Sequence, residues 1–142
     1  METNLFTNMV MVTTGADRVK QILMKPQNML QWVPEISIVD EQPDGFRIQR
    51  NEAALNQTEL IRVTAENNQI TYMSTEGRLE YRLVFTLTNE NNQTVIQEDF
   101  YIPDDTDRHL PVRLLAPIAK HAFHTNLINL GSLVESMASG KE

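Results

Sequence analysis

The spacing of apolar residues changes twice along the chain, and each change marks a different kind of element. Residues 5–13 alternate two sets, Leu5, Thr7, Met9 and Met11 against Phe6, Asn8, Val10 and Val12. Both sets carry apolar groups, which predicts a strand with one face on a core and the other partly covered. Thr14 and Asp17 stand at capping-box spacing, and Val19, Ile22 and Leu23 give a short helical face that Lys25-Pro26 ends. Residues 27–32 form a further turn or short helix before Val33-Pro34. The period then drops to two over residues 35–42, 46–56, 58–66, 69–75, 78–88 and 94–102. Turn-type residues separate these runs: Asp44-Gly45, Asn56-Gln57, Asn67-Asn68, Glu76-Gly77 and the tract from Asn89 to Asn92. This predicts an antiparallel meander of six strands. From Leu110 to Met137 the helical period returns. Ala116, Ala119, Phe123, Leu127, Leu130, Val134 and Met137 fall on one narrow stripe, which Leu115, Ala122, Asn126 and Leu133 widen. At 1.5 Å per residue such a helix spans roughly 42 Å and needs a broad surface to lie on.

Hairpin geometry supplies that surface, because directly opposed residues share a sheet face. A two-residue turn at Asn67-Asn68 sets Val63 against Tyr72, Ala65 against Ile70 and Ile61 against Ser74. The same turn at Glu76-Gly77 sets Tyr72 against Tyr81, Ile70 against Leu83 and Ser74 against Leu79. Any two-residue closure in the Asn-rich tract keeps Tyr81, Leu83, Phe85 and Leu87 on the face of Ile96, Glu98, Phe100 and Ile102. The hairpins agree on one apolar face. Arg62, Thr64, Thr71, Glu80, Arg82, Thr86 and Thr88 mark the opposite, solvent face. The sum is an α+β domain: a seven-stranded antiparallel sheet, one or two short helices after the first strand, and a long C-terminal helix on the sheet.

Composition narrows the function more than it changes the fold. The chain has 142 residues, 41% hydrophobic, enough for one domain with a real core. A net charge of −7 with no basic cluster makes nucleic acid an unfavourable partner. No apolar run reaches membrane-span length, and the N-terminus lacks the basic and apolar regions of an export signal, so a cytoplasmic protein is expected. Cysteine is absent, which removes disulfides, thiolate nucleophiles and sulfur metal sites.

The first strand, the run Ala16-Asp17-Arg18-Val19, the stretch from Asn28 through Trp32-Val33-Pro34, the meander and the terminal Phe123, Leu127, Leu130 and Leu133 together resemble the START-like superfamily. This is the helix-grip fold of polyketide cyclase-like proteins and lipid-transfer domains. The likeness spans nearly the whole chain, 1–142. It implies a strongly curved sheet gripping the terminal helix around a cavity for an apolar or amphipathic small molecule.

Several residues bear on that cavity. Glu98 lies on the apolar sheet face, and a two-residue turn at Asn56-Gln57 would put Arg50 opposite Val63 and Glu52 opposite Ile61 on the same face. Buried charges are costly unless paired or hydrated. Arg50, Tyr72, Tyr81 and Glu98 therefore form either a polar pole that orients a ligand or a structural ion pair, rim pair or bulge. Trp32 is a core plug or a cavity wall. Val63, Leu83, Phe85 and Phe100 line the cavity from the sheet, and Phe123, Asn126 and Leu127 line it from the helix. Asn126 is a ligand donor or a satisfied core amide. Pro117 should kink the helix, fitting it to the curved sheet or, with residues 103–107, forming a lid. The seven methionines suit an adaptable pocket and an ordinary core equally. His121 and His124 point away from the stripe, and His109 lies far from them, so no metal site is expected. No cofactor is expected, and no nucleophile or phosphate-loop motif can be read.

Three functions remain open. The first is binding of a lipid-like or aromatic, polyketide-like small molecule by a monomer or weak homodimer. The second is a cyclase or dehydratase in which Glu98, Tyr81 and Arg50 move protons. The third is a protein-interaction module with no ligand.

Overall fold

The computed structural model describes residues 2–51, 56–106 and 111–138. In chain order these form β1 (Glu2–Val12), α1 (Ala16–Leu23), a tight turn of 3-10 helix (Pro26–Asn28), α2 (Met29–Trp32), β2 (Ile36–Gln42), β3 (Gly45–Arg50), β4 (Thr58–Glu66), β5 (Gln69–Thr75), β6 (Tyr81–Glu90), β7 (Gln93–Pro103) and α3 (Val112–Ala138). All seven strands join one antiparallel sheet in the order β1-β7-β6-β5-β4-β3-β2. The meander runs through neighbours, and β1 returns to pair with its last strand. α3 lies on the face that the alternation defines. Ile70, Tyr72, Leu83, Phe85, Leu87, Ile96 and Phe100 from the sheet are buried against Leu127, Leu130 and Val134 from the helix.

Helix and sheet come together most closely at a glycine. A Cβ on Gly131 would stand 3.2 Å from Val12 Cγ1, so the missing side chain lets α3 settle onto β1. α3 starts where the Leu114 and Leu115 N–H groups both donate to the Pro111 carbonyl at 3.1 Å, and it runs on through Pro117. Leu110, Asp107, His109 and Glu52 lie outside the described residues.

The sheet departs from the expected turns at three of its connections and keeps the expected turn at the β4–β5 hairpin. The β2–β3 turn is Pro43-Asp44, with Gln42 opposite Gly45. The β4–β5 hairpin has the expected register, turning at Asn67 with a φ of 56°. The β5–β6 connection is longer than two residues, so Tyr72 faces Leu83 and Ser74 faces Tyr81. Its loop is held open because the Asn56 amide takes the place of a strand partner: it donates to the Leu79 carbonyl and accepts from the Leu79 N–H, both at 2.6 Å. The β3–β4 connection is longer too, and Ile61 faces Phe46 rather than Glu52. Both slips are even in number and therefore leave every side chain on its expected face.

Two local expectations also fail. Gly15 caps α1 with no side-chain bond, so the Thr14–Asp17 capping box does not form; the Thr14 carbonyl instead accepts the Thr94 hydroxyl at 2.6 Å. The outer face of β1 is partly covered, with Leu5 and Thr7 half-buried, while Met9 and Met11 are exposed. Met137, placed on the buried stripe by its spacing, is also exposed near the end of α3. Among the described residues no helix is long and apolar enough to cross a membrane.

Gly45 offers a test of the β3–β4 packing. Its φ is +150°, and a Cβ there would lie 2.7 Å from the Ile61 carbonyl oxygen. Gly45→Ala should lower stability by about 1–3 kcal/mol, read from the shift of the urea unfolding midpoint.

Candidate ligand-binding site

Two adjoining cavities lie between the inner sheet face and the helices. The outer one measures about 390 Å³ and is lined by Glu35, Arg50, Asn56, Leu79, Tyr81, Phe100, Leu115, Ile118, Ala119, Ala122 and Phe123. The inner one measures about 30 Å³, room for one water or one small polar group. Trp32, Tyr72, Leu83, Glu98 and Asn126 line it, among others, with Glu35, Arg50, Tyr81 and Phe123 common to both. Those four side chains therefore form the boundary between the two spaces.

The apolar wall is a run of rings. Phe100 stacks on Phe6 on one side and on Tyr81 on the other, each with centroids 4.7 Å apart. Phe123 from α3 meets Phe100 edge to face at 5.1 Å. These geometries hold the wall rigidly.

The polar end is built by β3, β4 and β5. Alternation puts Arg50, Glu59 and Ser74 on the inner face, and Glu59 is fully buried. Its carboxylate pairs with the Arg50 guanidinium, accepts from the Ser74 hydroxyl and accepts from the Asn56 amide at 3.3 Å. The guanidinium also donates to the Asn56 carbonyl at 2.9 Å. Burial opposes the charge on Arg50, but Tyr81, Glu59 and Glu35 outweigh it and hold the pKa above the usual arginine value. Burial, with Glu59 adding to it, pushes the Tyr81 hydroxyl far up. Asn126 donates to Glu35 at 3.3 Å, so this helix amide positions a carboxylate at the cavity boundary.

Glu98 stands apart from this cluster. Asn8 donates to its Oε1 at 3.2 Å and to the Lys120 carbonyl of α3 at 3.1 Å. Burial, only partly offset by the Asn8 hydrogen bond and reinforced by Asp99, pushes the Glu98 pKa up to about 8. The carboxyl is therefore mostly neutral at pH 7. Among the described residues its Oε2 has no hydrogen-bond partner, and neither has the buried Trp32 Nε1.

Of the residues singled out from the sequence, Trp32, Arg50, Tyr72, Tyr81, Leu83, Glu98, Phe100, Phe123 and Asn126 line one cavity or both. Val63, Phe85 and Leu127 line neither. Phe85 and Leu127 are wholly buried in the core, Phe85 against the edges of Tyr72 and Trp32, and Val63 packs on the core's flank. Tyr72 has a structural bond: its hydroxyl donates to the Leu23 carbonyl at 2.6 Å and ties α1 to the sheet. Arg50 and Glu98 do not pair, since Glu59 holds the guanidinium. Sequence reasoning passed over Glu59 and Asn8, although Glu59 shares strand parity with Ile61, and Asn8 with Phe6 and Val12. Leu115 stood on the widened helical stripe and Leu79 on the expected apolar sheet face, whereas Asn56 and Ile118 enter through loop and helix placement, for which no periodic signal exists.

Two other features carry no comparable site. A groove of about 910 Å³ runs between α1 and the end of α3, but it is open and lined mainly by charged and amide side chains. Among the described residues no three His, Asp or Glu side chains converge to hold a metal.

The two polar clusters make separate predictions. Arg50→Met leaves the Glu59 carboxylate buried without its counter-charge and should cost about 3 kcal/mol in urea unfolding. The Arg50→Met/Glu59→Leu double variant should cost less than the sum of the single changes. For Glu98 the folded pKa of about 8 lies above the ordinary glutamate value of 4.5. Between these values the unfolded chain gives up a proton that the folded chain keeps. Stability should therefore fall as pH rises through this window, by up to about 1.4 kcal/mol per pH unit, and level off above it. Glu98→Gln should remove that slope, so urea midpoints of variant and wild type should diverge in the variant's favour on going from about pH 5 to about pH 8.

No family model matches the sequence, and no curated protein matches it. Solved structures do match. A START superfamily protein from Mycobacterium smegmatis superposes with a TM-score of 0.73 at 19% identity, covering 93% of this chain and 97% of its own. The Zhui aromatase/cyclase from a Streptomyces species gives 0.72 at 17% identity, with 100% of both chains covered. The di-domain aromatase/cyclase StfQ from the steffimycin biosynthetic pathway gives 0.72 at 13% identity, over 94% of this chain and 52% of its own. The seven-stranded antiparallel sheet, the short helices after β1 and the long terminal helix agree with these likenesses: the chain has the START-like, helix-grip fold.

Proposed function

We propose that the chain binds an apolar or amphipathic small molecule in the outer cavity, its uncharged polar end toward Arg50, Asn56 and Glu35. The observation that carries this reading is the cavity itself. Its volume of about 390 Å³ falls within the range of small-molecule sites, and its wall is mostly apolar with a few placed polar groups. The chemistry of the polar end narrows the class. Glu59 already neutralises Arg50, and Glu35 adds a negative charge at the boundary. A carboxylate or phosphate head would meet no free cation there among the described residues. Lipid-like alcohols, ketones and aromatic polyketide-like molecules fit better than fatty acids. The cytoplasmic location expected from the sequence belongs to the same proposal.

A cyclase or dehydratase reading keeps one supporting observation, the neutral Glu98 carboxyl with an unpartnered oxygen at the inner cavity. Its other two candidate groups are engaged or inert, since Arg50 is held by Glu59 and the Tyr81 proton is tightly retained. Two of the similar structures are aromatase/cyclases, which supports testing it. Turnover of a polyketide substrate, lost in Glu98→Gln, would place this reading first.

Binding is tested with the neutral apolar dye N-phenylnaphthylamine, whose emission rises in an apolar pocket. Wild type should bind it saturably, and Ala119→Trp, which fills the outer cavity, should weaken binding roughly tenfold or more, a loss of about 1.4 kcal/mol. Native mass spectrometry of protein from its own host should show a co-purifying lipid or aromatic mass. Equal dye binding by wild type and Ala119→Trp would overturn the assignment of the ligand to this cavity.

A further inference from the structure

We propose that the inner cavity is a subsite for a neutral carbonyl oxygen of the ligand, which the Trp32 indole N–H and the Glu98 carboxyl O–H both donate to. The inference rests on the outer cavity being the ligand site and adds which functional group is read at its inner end.

Donors outnumber acceptors around the inner cavity. Trp32 is buried, and its Nε1 can only donate. Glu98 is fully buried, with one oxygen engaged and one free. The engaged oxygen is an acceptor for a definite reason. The Lys120 carbonyl can only accept, so the Asn8 side chain must present its nitrogen to that carbonyl and hence also to Glu98 Oε1. With Oε1 accepting, the proton of the neutral carboxyl belongs on Oε2, which faces no partner among the described residues. Two donors thus line a space of about 30 Å³ with nothing to receive them. Leaving buried donors unmade is costly, and an oxygen with two lone pairs satisfies both. A ketone, aldehyde, ester or amide carbonyl has that oxygen, and its narrow tip suits the volume. A hydroxyl fits less well because its own proton would need an acceptor.

The charges around the site favour a neutral group over an anion. Glu35 and Arg50 reach the inner cavity from the boundary, with Arg50 neutralised by Glu59 on β4. Tyr72 and Tyr81 line it from β5 and β6 with their protons retained. From β1 the facing group is the Asn8 amide. α3 contributes Phe123, Asn126 and the Lys120 backbone, and α2 contributes Met29 and Trp32. Asp99, next along β7, is the remaining negative charge acting on Glu98. The subsite is therefore set by the protonation of Glu98: once this group ionises, a carboxylate oxygen faces the carbonyl oxygen and repels it.

The test uses acedan, an acetyl dimethylaminonaphthalene dye, and its isopropenyl analogue, in which a methylene replaces the carbonyl oxygen at nearly the same shape. Both are titrated by their own emission. At about pH 6.5 wild type should bind the ketone about fivefold tighter than the alkene, the scale of one net buried hydrogen bond. Trp32→Phe should lose most of that preference, read as the ratio of ketone to alkene affinity within the same variant. Raising wild type to about pH 9.5 should abolish the preference as Glu98 ionises. Glu98→Gln retains an N–H donor and a partner for Asn8, so its preference should persist at both pH values. Equal affinity for the two dyes in wild type, or a preference indifferent to Trp32→Phe and to pH, would overturn the subsite while leaving the outer cavity as the binding site. Binding of neither dye would overturn both.

Discussion

The structure depends on how the Glu59 carboxylate is buried. A carboxylate with no exposed surface survives only if its charge and lone pairs are met, and three separate segments meet them. Arg50 comes from the end of β3, Asn56 from the loop that follows, and Ser74 from β5. Asn56 then reaches Leu79 in the loop before β6. Removing any one contact leaves a buried polar group unpaired, so the cluster specifies loop positions that apolar packing alone would leave free. The two connections that depart from two-residue turns are the two that Asn56 links. The cluster also commits the guanidinium: Arg50, which lines both cavities, is already paired with Glu59.

The faces of the sheet were legible from alternation, and heights along it were not. An even slip moves partners by whole pleats and keeps each side chain on its face, so Tyr72, Tyr81, Leu83, Glu98 and Phe100 point inward despite the altered registers. The slip itself came from side-chain bonds between segments distant in sequence, which no local pattern encodes. Glu59 was within reach of the same alternation that singled out Glu98. Its role still could not have been read, since the expected turn puts Arg50 opposite Val63, three pleats along β4 from its actual place opposite Gln57. Asn8 was hidden differently: a strand with apolar groups on both faces gives no sign of which amide is inside until α3 is placed. Met9 and Met11 show the cost of that ambiguity.

Glu98 and Glu59 lie on one sheet face but meet opposite environments. Glu59 has a guanidinium, a hydroxyl and an amide around it, whereas Glu98 has one amide and a small cavity. Desolvation with a single donor favours the protonated acid, and a counter-ion favours the carboxylate. The two carboxyls thus divide: Glu59 is held by partners from three segments, and Glu98 keeps one oxygen unpartnered among the described residues.

The same division runs along α3. Its C-terminal half fills the space above the sheet with Leu127, Leu130 and Val134, all wholly buried. Its N-terminal half presents Ala119 and Ala122 toward the same sheet, with Leu115 and Ile118 at their margins, and the outer cavity lies there. Close packing leaves room only where side chains are too short to reach across. The stripe that first marked α3 as a packing helix therefore changes meaning at Phe123. Beyond that ring it is core, and before it the alanines leave space that a ligand can occupy.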